Sequence, residues 1–491
     1  MTKRVEIKKL LTGVPGLDDV LGGGIPDLSF NLIAGGPGCG KTTLAHQIMF
    51  ATATVERPAL YITILGEPPL KMLRYQQQYS FFDASKVPTC IQFLHLGGEL
   101  LEHGLAAVLE SIVKEVEATD PKLVFVDSFR SLVRKSAEPG QMDLQGFVQQ
   151  LSLHLTGWEA TTFLIGEYAE READCNPVFT IADGILWLSQ VTSRNSIVRK
   201  LQVVKLRGQG AKPGLHSMKI SDAGIRVYPR LPNFDRPAVK PPAAHRRLET
   251  GIAGLDDMLG GGIPAGYSML VVGPSGAGKT ILATQFIREG ILQGERGVIA
   301  VFEKRPDEYL TAALGTAELG QLVSDGMLKL LCLRSLDLSV DETLEELVTA
   351  VRELGATRVV IDSLMGFELA LAPSFREDFR ESLYRMVGAL VDLGVTVLMT
   401  AELVESYGEL RLSPHGISFL ADGIILQRYV ELKGALRRVL AVAKLRGFDH
   451  DKVLRLYDIG PDGIVMGEPL VEHTGILVGG ALWSSTDDRE A

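Results

Sequence analysis

Two loops with the composition needed to grip phosphate stand in one chain. The first reads Gly35-Gly36-Pro37-Gly38-Cys39-Gly40-Lys41-Thr42. The second reads Gly273-Pro274-Ser275-Gly276-Ala277-Gly278-Lys279-Thr280, so Lys279 follows Lys41 by 238 positions. Both fit G-x-x-x-x-G-K-[ST]. In that pattern the glycines let successive backbone N–H groups converge on the α- and β-phosphates. The lysine reaches the β- and γ-phosphates, and the threonine hydroxyl ligates Mg²⁺. The spacing therefore implies a nucleotide, ATP with Mg²⁺, held by Gly36, Pro37, Gly38, Cys39, Gly40, Lys41, Thr42 and Thr43. The second set is Pro274, Ser275, Gly276, Ala277, Gly278, Lys279, Thr280 and Ile281. Cys39 reads as a small residue tolerated inside its loop rather than as a redox switch.

Hydrolysis needs a metal partner and a group to polarise water. Leu123-Val124-Phe125-Val126-Asp127 and Val359-Val360-Ile361-Asp362 are apolar runs ending in aspartate. Asp127 with Thr42, and Asp362 with Thr280, would complete two metal shells. The competing reading makes each aspartate the cap of the next helix. After its second apolar run the second copy carries Phe302-Glu303-Lys304, and Glu303 stands where a carboxylate orients attacking water. The aligned stretch of the first copy is Ile64-Leu65-Gly66-Glu67. Leu65 takes the register of Glu303 and cannot accept a proton, and Glu67 would need a different backbone path.

Positioning these groups requires a strand before each loop and a helix after it, whose N-terminus adds positive dipole. Leu28–Ala34 and Tyr267–Val272 are strand-like, and Thr43–Phe50 and Ile281–Ile287 read as helices. Continuous apolar runs such as Thr162-Phe163-Leu164-Ile165 and Val395-Thr396-Val397-Leu398-Met399 alternate with helical stretches. Strands of this kind are buried on both faces, which indicates an α/β fold with a mainly parallel sheet.

The loops belong to a longer repeat. Thr12-Gly13-Val14-Pro15-Gly16-Leu17-Asp18-Asp19-Val20-Leu21-Gly22-Gly23-Gly24-Ile25-Pro26 recurs as Thr250-Gly251-Ile252-Ala253-Gly254-Leu255-Asp256-Asp257-Met258-Leu259-Gly260-Gly261-Gly262-Ile263-Pro264. Ala182-Asp183-Gly184 recurs as Ala421-Asp422-Gly423, and Lys205-Leu206-Arg207-Gly208 as Lys444-Leu445-Arg446-Gly447. Near-constant offsets over whole domains mean a tandem duplication. The expected division is a first domain over 1–230, a proline-rich linker over 231–246, a second domain over 247–470 and a tail over 471–491. The linker lacks periodicity and reads as extended chain.

Composition bounds the function. The 491 residues suggest more than one domain, at roughly 150 residues each. A net charge of −10 argues against a broad nucleic-acid surface. Four scattered cysteines suit a reduced compartment and no zinc site. The first nine residues lack the apolar centre of a signal peptide, and no apolar run approaches the roughly 18 residues of a membrane helix. The expectation is a soluble cytoplasmic protein with no membrane partner.

These residues together resemble the KaiC family: tandem RecA-like ATPase domains, known from cyanobacterial clocks and from bacteria and archaea without clocks. The resemblance covers Thr12 to about Gly479. It rests on the T-G-x-x-G-L-D-x-x-L-G-G-G-I-P segment, the paired phosphate loops, the paired Asp-Ser strand ends and the paired K-L-R-G segments. It implies a homohexamer of two stacked rings with ATP between neighbouring subunits. Lys205, Arg207, Lys444 and Arg446 would then act in trans on the neighbour's phosphates, neutralising transition-state charge. Without that interface they read as a solvated turn. The family's two consecutive glutamates at the catalytic position are reduced here to Glu303 followed by Lys304, and neither stands in the first domain. The family's serine and threonine phosphosites align with Ser418 and Phe419, which leaves one hydroxyl. Ser418 stands open between phosphosite and plain loop hydroxyl, with Ser413 a weaker alternative. Glu472-His473-Thr474-Gly475-Ile476-Leu477 resembles the start of the family's tail, which then stops early. The functions implied are a slow ATPase with serine autokinase activity in the second domain, and in contrast a nucleotide-gated scaffold for an unidentified signalling partner. A RecA-type DNA-dependent ATPase is the third reading, disfavoured by the acidic balance.

Overall fold

The computed structural model describes residues 7–64, 69–127, 144–157, 159–169, 176–193, 196–230, 246–312, 316–333, 338–376, 379–403, 418–432, 434–471, 473–474 and 482–483. The chain divides into two compact units, Met1–Pro232 and Asn233–Ala491. Leu65, Gly66, Glu67, Ser413, the proline-rich segment 231–245, Glu472 and the tail beyond Trp483 lie outside the described residues.

The first unit is built on a nine-stranded sheet. Its strands in chain order are β1 (Phe30–Gly35), β2 (Ala59–Thr63), β3 (Ile91–His95), β4 (Leu123–Asp127), β5 (Thr161–Glu167), β6 (Gly184–Ser193), β7 (Ser196–Leu206), β8 (His216–Ser221) and β9 (Gly224–Tyr228). Across the sheet they run β9-β8-β7-β6-β1-β5-β4-β2-β3. Strands β1 to β6 pair in parallel, and β6 to β9 add an antiparallel edge. The apolar runs explain this arrangement, because β1 and β2 are buried along their whole length. One face packs on Leu44, Ile48 and Met49, and the other on Val108, Phe147 and Leu151. Strand β1 starts two residues later than the apolar run suggests. Leu28 adopts a left-handed backbone (φ 59) and its N–H bonds the Thr161 hydroxyl at 2.9 Å, so the extended conformation begins only beyond it.

The second unit repeats the order strand for strand. Its strands are β10 (Ser268–Gly273), β11 (Gly297–Val301), β12 (Leu328–Cys332), β13 (Arg358–Asp362), β14 (Thr396–Glu402), β15 (Gly423–Leu432), β16 (Ala435–Leu445), β17 (Arg455–Gly460) and β18 (Gly463–Pro469). They run β18-β17-β16-β15-β10-β14-β13-β11-β12. In each unit the central strand, β1 or β10, delivers the chain into the phosphate loop. The helix that follows is Lys41–Thr52 in one unit and Lys279–Leu292 in the other.

Candidate nucleotide sites

Each loop turns into its helix through a glycine with a left-handed backbone, Gly40 at φ 101 and Gly278 at φ 99. A side chain there would be strained and, at Gly40, its Cβ would lie 2.7 Å from Ile220 Cδ1. The lysines fold back onto loop carbonyls. Lys41 Nζ donates to Gly36 O at 2.6 Å, and Lys279 Nζ to Gly273 O at 2.8 Å and Pro274 O at 2.7 Å. Phosphate oxygens would take over these hydrogen bonds. Cys39 lies fully buried beneath its loop, its thiol donating to Gly36 O at 2.9 Å, and burial pushes that thiol up. This is the environment of a packed small residue.

In the first site the Thr42 hydroxyl donates to Asp127 Oδ2 at 3.0 Å. With its proton committed to the carboxylate, the hydroxyl presents lone pairs to a cation. Burial pushes the Asp127 carboxyl up, against the hydrogen bonds from Tyr61 and Thr42 and the charge of Lys41. A carboxylate desolvated in this way gains from a nearby divalent ion, so Thr42 and Asp127 fit Mg²⁺. Tyr61 on β2 donates to the same Oδ2 at 2.8 Å.

The second site is built around a cavity. A cavity of about 320 Å³ is lined by Lys279, Thr280, Glu303, Tyr309, Asp362 and Glu402, among others. Asp362 is buried and accepts a short hydrogen bond from the Thr400 hydroxyl of the adjacent strand β14. The helix after β13, Leu364–Ala370, is capped by Ser363, whose oxygen accepts from Gly366 N–H at 3.1 Å. Capping therefore falls to the serine, and the aspartate faces the cavity. The Ser363 hydroxyl in turn donates to Glu303 Oε1 at 2.8 Å. Glu303 reaches this position over a bare glycine, since a Cβ on Gly366 would come within 2.6 Å of Glu303 Cγ. Burial lowers Lys279, opposed by the charges of Glu402, Asp362 and Glu303. Hard oxygen donors around one lysine and a threonine hydroxyl fit Mg²⁺ bound together with phosphate.

The four expected trans-acting cations share one geometry. Lys205 Nζ donates to Phe179 O at 3.3 Å and Thr180 O at 2.9 Å, and Arg207 pairs with Asp183 at 2.9 Å. Lys444 Nζ donates to Ser418 O at 2.9 Å and Ala421 O at 2.6 Å, and Arg446 pairs with Asp422 at 3.4 Å. They grip the segment that leads into β6 or β15 in their own unit, which in the first is the short helix Pro177–Ile181 and the Asp183 after it. Ser418 is thus half-buried with its carbonyl on Lys444, while Phe419 beside it is exposed.

Sequence reasoning passed over Tyr61, Tyr309, Thr400 and Glu402, and met Ser363 only as the second half of an Asp-Ser pair. Of the four, only Glu402 carried a readable signal. It ends an apolar strand directly beside the loop, paired with Gly273, as Glu167 pairs with Gly35 in the first unit. The others reach the site from neighbouring strands and helices.

Tandem sheets of one order, each with a phosphate loop on its central strand and an aspartate two strands away, define a pair of RecA-like P-loop domains. Among the described residues no helix is long and apolar enough to cross a membrane. The chain belongs to the KaiC ATPase family, whose profile matches residues 10–232 and again 248–471. It is 28% identical to a circadian clock protein KaiC3 of Synechocystis sp., over 99% of this chain and 96% of that one. It is 25% identical to the circadian clock oscillator protein KaiC of Acaryochloris marina, over 99% of this chain and 94% of that one.

Proposed function

We propose that the chain is an ATP-dependent regulator, a homohexamer of two stacked rings that holds ATP in the first ring and hydrolyses it slowly in the second. One observation carries this reading: the Glu303 carboxylate is fixed by Ser363 in the cavity that also contains Lys279, Thr280 and Asp362. Loop N–H groups and Lys279 would hold the phosphates. Thr280 and the Asp362 shell would hold Mg²⁺, which neutralises charge on the β- and γ-phosphate oxygens. Glu303 orients a water for in-line attack and takes its proton. Lys444 and Arg446 of a neighbouring subunit would stabilise the transition state, as Lys205 and Arg207 would in the first ring. The corresponding metal set of the first ring is Thr42 and Asp127.

The same second-ring site supports autokinase activity toward Ser418. The γ-phosphoryl passes from ATP to Ser418 Oγ, the hydroxyl proton passes to a site carboxylate, and ADP leaves. Phe419 restricts this to a single hydroxyl of the pair. Purified protein with ATP and Mg²⁺ is expected to release phosphate and to lose most of that release in Glu303→Gln. Undiminished release would remove Glu303 from the mechanism. Intact mass spectrometry after the same incubation reads phosphorylation, and Ser418→Ala should abolish any added 80 Da (roughly one phosphoryl group).

A nucleotide-gated scaffold is the second reading, favoured for the first ring by Leu65 at the register of Glu303. Native mass measured with and without ATP tests it, since an assembly size indifferent to nucleotide excludes nucleotide as an adhesive between subunits. In either reading the protein would work in the cytoplasm with an unidentified signalling protein as partner. The net charge of −10 argues against DNA as the partner, and salt-dependent DNA binding would reverse that.

A further inference from the structure

Each site brings a phenol to its strand-end aspartate, and the two copies do so with different elements. In the first unit Tyr61 projects from β2 and donates to Asp127 Oδ2 at 2.8 Å, the oxygen that also accepts from Thr42. Its ring is clamped by His46, with centroids 4.5 Å apart and planes 20° from parallel, and flanked by Phe93 at 5.6 Å and Phe125 at 6.0 Å. The repeat register puts Ile299 where Tyr61 stands and Thr284 where His46 stands. Isoleucine offers Asp362 nothing. The second unit instead supplies Tyr309, from the helix Pro306–Ala312. Tyr309 is 1% exposed and lines the cavity. Its buried hydroxyl has no hydrogen-bond partner among the described residues, and Asp362 lines the same cavity.

We infer that Tyr61 and Tyr309 are positioning residues for the metal-shell aspartates, Tyr61 through the hydrogen bond it makes to Asp127 and Tyr309 through a hydroxyl that stands unpaired, among the described residues, in the cavity lined by Asp362 and is free to meet that carboxylate when Mg²⁺ and nucleotide bind. A neutral donor suits that task. It forms a charge-assisted hydrogen bond that fixes the carboxylate's rotation, and it adds no charge to compete with the cation. The two copies reach this arrangement by separate routes, a strand residue in one and a helix residue in the other, so it is not a by-product of the shared backbone. The inference rests on the reading that Asp127 and Asp362 join a Mg²⁺ shell.

The test reads nucleotide binding rather than turnover. Full-length protein carrying Lys41→Ala reports the second site, and protein carrying Lys279→Ala reports the first. In each background the affinity for a fluorescent ATP analogue is measured against free Mg²⁺ and again in EDTA. Tyr309→Phe in the former and Tyr61→Phe in the latter are expected to raise the Mg²⁺ concentration for half-maximal enhancement roughly tenfold. Binding in EDTA should stay unchanged. An unchanged Mg²⁺ requirement overturns the inference while leaving the aspartates in place. A parent background in which Mg²⁺ gives no enhancement overturns the metal reading and this inference with it. Equal losses in EDTA and in Mg²⁺ assign the tyrosines to packing of the pocket, which also overturns it.

Discussion

The two nucleotide sites share a sheet order, a loop and a strand-end aspartate, yet they surround that aspartate differently. In the first, Asp127 is held by Thr42 from the loop and Tyr61 from β2. In the second, Asp362 is held by Thr400 from β14 and approached by Tyr309 from a helix, while Ser363 has taken up Glu303. Backbone topology has stayed fixed through the duplication, and the side chains that tune each site have been exchanged among the elements around it. The carboxylate proposed to orient water is part of that exchange. Glu303 is held over Gly366, and the first copy offers Leu65 at the same register.

The comparison breaks most sharply at Glu303. Glu303→Gln is expected to reduce phosphate release by about 100-fold or more, the usual scale for losing a positioned acid or base. Lys41→Ala, which removes the first site's phosphate grip, should leave most of the release. The reverse ranking would make the first unit the working one. A loss of similar size in both variants would mean that the two units hydrolyse only as a coupled pair.

The outline of this contrast was legible in the residues, and its mechanism was not. Phosphate loops and strand-end aspartates are local patterns, and the repeat doubles each of them, the loops at 238 positions and the aspartates at 235. The parallel sheet followed from apolar runs of strand length. Thr400 is different. It reaches Asp362 because β14 lies beside β13, with Met399 opposite Ile361, and no spacing along the chain announces that pairing. Ser363 was readable only as part of an Asp-Ser pair. Its double role, capping a helix and holding Glu303, depends on Gly366 lying under the glutamate.

A second difference lies at the opposite end of the strands. Arg358, at the start of β13, is 1% exposed and pairs through Nε with Glu295 at 2.6 Å. It also donates to Glu249 O and Phe286 O, both at 2.7 Å, and lies over the Phe286 ring at 4.6 Å. Gly290 makes room for it, since a Cβ there would come within 2.3 Å of Arg358 Nε. Arg246 joins the same glutamate, tying the start of the second unit to this network. The first unit has Leu123 at the register of Arg358 and Thr52 at that of Gly290. Arg358→Leu should therefore destabilise the second unit alone by about 2 kcal/mol, because Glu295 keeps only the more exposed Arg246 as its cation and the Phe286 carbonyl loses its buried donor. Urea unfolding followed by hydrogen exchange reads each unit separately. A shift shared equally by both units would mean that they unfold as one.

The gentlest contrast concerns acid. His46 is fully buried, neither ring nitrogen has a hydrogen-bond partner among the described residues, and burial pushes its pKa down to about 3 from 6.5. The unfolded chain takes up a proton below about 6.5, and the folded chain refuses it until about 3. The contribution is therefore complete above pH 6.5 and is lost as the pH falls toward 3. Each unit of that descent costs the first unit about 1.4 kcal/mol. The second unit carries Thr284 at this register and is free of this contribution. His46→Leu should flatten the acid dependence of the first unit and leave that of the second untouched. Amide exchange in helix Lys41–Thr52, compared with helix Lys279–Leu292 between neutral pH and about pH 5.5, measures the difference. Because the His46 ring also clamps Tyr61, the same variant separates two roles. If the clamp matters to the aspartate, the Mg²⁺ requirement of the first site rises along with the flattened acid profile. If the ring only fills space, leucine flattens the profile and leaves Mg²⁺ binding as it was.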